Sequence, residues 1–172
     1  ITSFPNVVDS SEAVGGAIEP FGDSFLLLTG EGEFYRLRWN RDTTKLGLTR
    51  LALTAPLERA AFIRQRQGKL PTLRLRATDF VLDTASSPAT VYASHEHWDP
   101  VHECVTMRIS VTTLPESTVT TPAVWSTLFD SAPCLSLSDE FDGAETGGRL
   151  AWIGARSLLL TVGDHGHSGL AG

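Results

Sequence analysis

The chain has 172 residues, with 14 Lys and Arg against 20 Asp and Glu, 41% hydrophobic residues, two Cys and a formal charge of −6. That length buries a core without metal or disulfide staples, and that composition excludes a disordered segment. The net negative charge argues against a nucleic-acid partner, and the longest uncharged apolar runs, Phe25–Leu28 and Leu158–Val162, fall far short of the roughly 20 residues of a membrane-spanning helix.

No charged-then-apolar leader follows Ile1, so a targeting signal is expected to have been removed or to lie outside this chain. The first predicted elements are two short strands after Gly15-Gly16, an apolar run to Phe21 and the run Phe25–Thr29, with Gly22-Asp23 between them as the turn. Glu33–Trp39 alternates as a third strand, and Leu46–Leu53 reads as an outer, edge-type strand. Over 56–67 the spacing of Leu57, Ala60, Ala61 and Ile63, with Pro56 at the start and Gly68 at the exit, predicts a short helix.

The strand pattern then resumes. Thr78–Leu82 and Ala89–Ser94 form a pair, Cys104–Val111 alternates with Val105, Met107, Ile109 and Val111 on one face, and 115–122 and 136–146 read as loops. Near the end of the chain, Gly147 to Thr161 aligns without gaps on Gly15 to Thr29, with seven of fifteen positions identical. A weaker copy starts near Thr78, so the copies begin near 15, 78 and 147, roughly 65 residues apart. Strand pair, third strand and outer strand, repeated, make an all-β chain of β-propeller blades. A six-bladed ring needs on the order of 240–300 residues at about 40–50 per blade, so 1–172 is expected to be one partial propeller domain of three to four blades. The expectation is a fragment, or a piece that closes against another chain.

The segment Gly147-Gly148-Arg149-Leu150 through Gly163-Asp164-His165-Gly166, preceded by Trp125–Cys134, resembles the six-bladed propellers of the soluble quinoprotein glucose dehydrogenase and glucose/sorbosone dehydrogenase type. The resemblance is specific over about 124–166 and architectural before 115. It implies oxidation of a sugar or polyol hydroxyl, with hydride passing to pyrroloquinoline quinone beside calcium, whose ligands in that family come largely from later blades. It also implies a general base a few residues ahead of Arg149, oriented by Asp164. The family's base is a His; Glu145 stands at that position here. Facing carboxylates tend to share a proton, so the chemistry is expected to be altered or lost. The functional face is placed near Glu145, Arg149, Asp164 and His165, in a periplasmic or secreted protein.

Other constellations leave alternatives open. His95-Glu96-His97 and His165-Gly166-His167 have spacing for a metal such as zinc, or are polar residues at a rim. Cys104 and Cys134 form one disulfide closing a loop of about 30 residues, worth roughly 3 kcal/mol, or are two buried thiols. Trp39, Trp98, Trp125 and Trp152 line a sugar-binding surface or pack in the core. The basic run from Arg59 to Arg76 is a solvated face or a phosphate site. The functional alternatives are a quinone-dependent sugar dehydrogenase and a non-catalytic propeller that binds or assembles with a protein partner or remaining blades.

Overall fold

A computed structural model describes residues 15–65, 75–114, 123–137, 141, 143, 145–154 and 157–166. Among the described residues the chain is all-β apart from one short helix, and every strand pair is antiparallel. Four strands, β1 (Gly16–Phe21), β2 (Ser24–Thr29), β3 (Glu33–Asn40) and β4 (Lys45–Thr54), pair in sequence order as a first sheet. Helix α1 (Arg59–Gln65) follows, inside the span expected for it, of which 66–67 lie outside the described residues. The second sheet runs β5 (Ala77–Asp83), β6 (Thr90–Asp99), β7 (Cys104–Thr113) and β8 (Ser126–Asp130), with β9 (Leu135–Ser136) on the far end of β7. A third, two-stranded sheet is β10 (Gly147–Ile153) and β11 (Ser157–Val162).

Local chemistry sets the turns. Gly22 takes φ 60° at the first loop position of the β1–β2 hairpin, where a two-residue connection of this kind needs Gly. In the β3–β4 loop, the Asn40 side-chain oxygen accepts from the backbone N–H groups of Asp42 and Thr43, and Asp99 does the same for Val101 and His102 between β6 and β7. The β10–β11 loop is one residue longer than the β1–β2 loop, since Ile153 pairs with Ser157 whereas Phe21 pairs with Ser24. The two Leu-Leu-Leu-Thr runs, aligned in sequence, are therefore offset by one residue in space and present opposite faces.

The second sheet is the middle layer. Against the first sheet it packs Phe80, Val91, Ala93 and Leu114 on Leu26, Leu28, Phe34 and Leu53, with Phe34 and Phe80 edge to face at 5.3 Å. Its other face packs Val81, Tyr92 and Ile109 on Leu150, Leu158 and Leu160. Helix α1 covers a third cluster, in which Phe62 meets Trp98 edge to face at 5.2 Å. Cover on both faces explains why β5 to β7 are buried almost without alternation, whereas β8 is exposed at every position. Three of the four tryptophans are packing residues: Trp98 is buried, Trp125 donates to the Thr54 carbonyl and Trp152 to that of Leu82, while Trp39 is exposed.

Cys104 and Cys134 form a disulfide, with Cα atoms 5.6 Å apart, that ties the start of β7 to the segment entering β9. No helix among the described residues is long and apolar enough to cross a membrane. Alkylation without reductant should label neither cysteine, and a Cys104→Ser, Cys134→Ser double variant should lose between about 3 and 4 kcal/mol in denaturant unfolding. Two labels on the unreduced chain would contradict the bridge.

Candidate functional site

The three sheets meet along their first strands. β5 lies against β1 on one side and β10 on the other, and a register break between Ala77 and Asp79 turns the Thr78 and Asp79 side chains toward β10. Asp79 is buried. One carboxylate oxygen accepts from the Phe80 N–H, and the other accepts from the Leu150 N–H at 2.9 Å and stands 3.5 Å from the Arg149 guanidinium. The hydroxyls of Thr78 and Ser94 reach the Gly148 carbonyl at 3.1 and 2.5 Å. Gly148 has φ 89°, and a Cβ there would collide with Thr78, so the close approach of β10 to β5 requires Gly at that position.

Beside this junction is a cleft of about 540 Å³, bounded by β1 and β2 and by Asp79, Arg149 and Leu150. Gly15 and Gly16 leave part of its wall to backbone. Its charged groups are Glu19, Asp79 and Arg149, one from the first strand of each sheet. Burial, then the negative charge of Asp79, pushes the Glu19 carboxyl above its usual range, with Arg149 opposing. Arg149 is engaged by Asp79 on one side and largely open to solvent on the other. Two carboxyl groups and a guanidinium thus offer donors and acceptors at one small concave surface.

Of the residues anticipated from sequence, Arg149 belongs to this cleft and Glu145 and Asp164 do not. Glu145 and Asp164 lie on neighbouring stretches of backbone, since the His165 N–H donates to the Glu145 carbonyl at 3.2 Å and the Gly163 N–H to that of Thr146 at 2.9 Å. The Glu145 side chain is exposed, and Asp164 accepts from the Gly166 N–H. Among the described residues no hydrogen bond or ion pair joins the side chains of Glu145, Asp164 and Arg149. Asp164 and His165 instead line a second cavity of about 300 Å³ with Ser131, Pro133 and Leu135. His165 is buried, with its ring stacked on Phe141 at 4.9 Å.

The His95-Glu96-His97 segment lies on β6, and both imidazoles point toward the first-sheet side. His95 is enclosed, and burial holds its imidazole down at about 4. The neutral ring then donates from Nδ1 to the Glu96 carbonyl and accepts from the Ser110 hydroxyl at Nε2. His97 Nδ1 lies 2.5 Å from Glu58. His167 falls outside the described residues, and among those described no three His, Cys, Asp or Glu side chains converge as a metal site requires. In the basic run, Arg59 pairs with Glu31 at 3.3 Å, while Arg66, Lys69 and Arg74 lie outside the described residues.

On the opposite face of β6, Glu96 is fully buried and accepts from the Arg76 N–H at 2.9 Å, with its other oxygen unpartnered. Arg76 reaches across to the Gly143 carbonyl and the Thr146 hydroxyl, binding the approach to β10 onto the second sheet. Burial pushes the Glu96 carboxyl up to about 8, against the pull of Arg76, so it is mainly protonated at neutral pH.

Glu19 and Asp79 escaped the sequence analysis, and the burial of Glu96, noted there only within the His95-Glu96-His97 spacing, escaped it too. A signal for the first two existed: the first strand of each repeat carries a charged residue among apolar ones. For Glu96 there was none, because its neighbours come from residues 20 to 50 positions away.

The folded chain holds a proton on Glu96 that the unfolded chain releases near pH 4.5, so this contribution to stability is complete below pH 4.5 and lost as the pH rises to about 8. His95 runs the other way, its contribution being present above pH 6.5 and lost as the pH falls to about 4. Between pH 7 and 8 Glu96 dominates. Urea unfolding should show the wild type losing up to about 1.4 kcal/mol per pH unit in that window and Glu96→Gln losing much less; equal slopes would contradict a protonated Glu96.

Comparison with known proteins yields no match to this chain from family models, curated proteins or solved structures.

Proposed function

We propose that the chain is a β-propeller segment acting as a binding module, whose inner cleft takes a small polyhydroxylated ligand, a sugar or polyol. The observation that carries this reading is the convergence of Glu19, Asp79 and Arg149, one from the first strand of each successive antiparallel sheet, on one cleft. Successive sheets whose first strands gather at a common line are the arrangement of propeller blades around their axis, and ligands favour such concave junctions. Carboxyl groups and a guanidinium suit vicinal hydroxyls, which both donate and accept. A neutral Glu19 donates where an ionised one accepts, so binding is expected to respond to pH. The disulfide fits an extracytoplasmic setting.

A second reading, a quinone-dependent sugar dehydrogenase, is favoured by the adjacency of the Glu145 and Asp164 backbones. The described residues supply no set of three side chains suited to calcium, and no step is assigned to calcium or quinone.

Isothermal titration with aldoses and polyols should give saturable binding that Arg149→Ala weakens at least about tenfold, equivalent to roughly 1.4 kcal/mol, while Trp39→Ala leaves it unchanged. With calcium and pyrroloquinoline quinone added, sugar should reduce no dye. Dye reduction lost in Glu145→Ala would establish the dehydrogenase instead, and failure of every sugar and polyol to bind would remove the binding module.

A further inference from the structure

We propose that the chain docks head to tail on a second copy of itself, the outer face of the β10–β11 sheet seating on the outer face of the β1–β4 sheet. Each outer face carries large apolar side chains open to solvent. On the first sheet, Ile18, Phe25 and Trp39 share the face turned away from the middle layer and are 54%, 47% and 57% exposed. On the third, Ile153 and Leu159 are 56% and 48% exposed on the face opposite Leu150. Side chains of this size left in water at both ends of a layered stack call for a partner.

The internal repeat identifies that partner. With the extra loop residue of the β10–β11 hairpin taken into account, Ile18, Phe25 and Leu27 occupy the positions of Leu150, Leu158 and Leu160. Those three leucines pack on the middle sheet. In the other direction, Phe21 and Leu26 occupy the positions of Ile153 and Leu159, and they too pack on the middle sheet. Each free face is thus the counterpart of a face already packed on the middle sheet: the free face of the first sheet corresponds to the packed face of the third, and the free face of the third to the packed face of the first. The contact repeats the apolar part of the packing seen on both sides of the middle sheet, and the chain carries both halves of it. Such a contact is heterologous, and it is finite only if it closes. With the three sheets of the described residues in each copy, closure on one partner makes a two-fold ring with two equivalent contacts. The inference uses the stacking of the sheets and not the ligand, so it stands or falls apart from binding in the cleft.

Sedimentation velocity of the full chain over a wide concentration range, with isotope-mixed cross-linking to separate contacts between copies from those within one, tests this. The expected result is a species of twice the chain mass, cross-linked between β2 of one copy and β11 of the other. Phe25→Glu and Leu159→Glu should each raise the dissociation constant at least about thirtyfold. The double variant Phe25→Glu, Leu159→Lys should recover much of the loss, because every contact then pairs opposite charges. Near-ultraviolet circular dichroism and an intact disulfide check that the variants fold. A chain of single mass at all concentrations, a dimer indifferent to both substitutions, or an open series of larger species would each overturn the proposal.

Discussion

The buried carboxylate of Asp79 is the contact on which the arrangement of the sheets depends. It accepts the Leu150 N–H from the third sheet, stands against Arg149 and spends its remaining oxygen on its own strand at Phe80. A buried carboxylate is tolerated only when its lone pairs are satisfied. Asp79 therefore confines β10 to one register against β5, and Thr78 and Ser94 confirm that register by closing on the Gly148 carbonyl. The same Asp79 forms part of the cleft wall beside Glu19. The contact that orders the sheets also sets the electrostatics of the cleft.

The middle sheet separates two kinds of interface. Toward the first sheet it is apolar along Phe80, Val91 and Ala93, and apolar burial is non-directional, leaving small shifts inexpensive. Toward the third sheet it is apolar at one end, through Val81 and Ile109, and polar at the other, through Thr78, Ser94 and Glu96. Polar groups that lose their partners on displacement cost about 1–3 kcal/mol each, which makes that interface specific as well as adhesive. Glu96 meets the requirement by keeping its proton, and Arg76 bridges from the same place to the stretch leading into β10.

The cleft and the Asp164–His165 cavity are separate concavities along the third sheet; of the residues anticipated as one constellation, Arg149 lines the first, Asp164 and His165 line the second, and Glu145 lines neither. The motif resemblance placed Glu145, Arg149 and Asp164 together because a motif records order and spacing. Side-chain direction depends also on pairing register: the extra residue in the β10–β11 loop and the bulge between Gly147 and Leu150 determine which face each side chain takes.

Most strands, the short helix and the all-β class were legible in the sequence, because alternation, Gly and Asp turns and helical spacing are local signals; β8 and the two-residue β9 were not anticipated. The Gly-Gly pairs and the Leu-Leu-Leu-Thr runs disclosed that two hairpins are related. Between a disulfide and two free thiols the sequence left the choice open, since the distance between Cys104 and Cys134 depends on how β7 and β9 pair. Tertiary structure alone decided that Glu19 and Asp79 join Arg149, that Glu96 and His95 are buried, and that two apolar faces remain open. Those properties belong to packing between sheets, where the partners of each residue are set by layers distant in sequence, and a one-residue change of register turns a core side chain toward solvent.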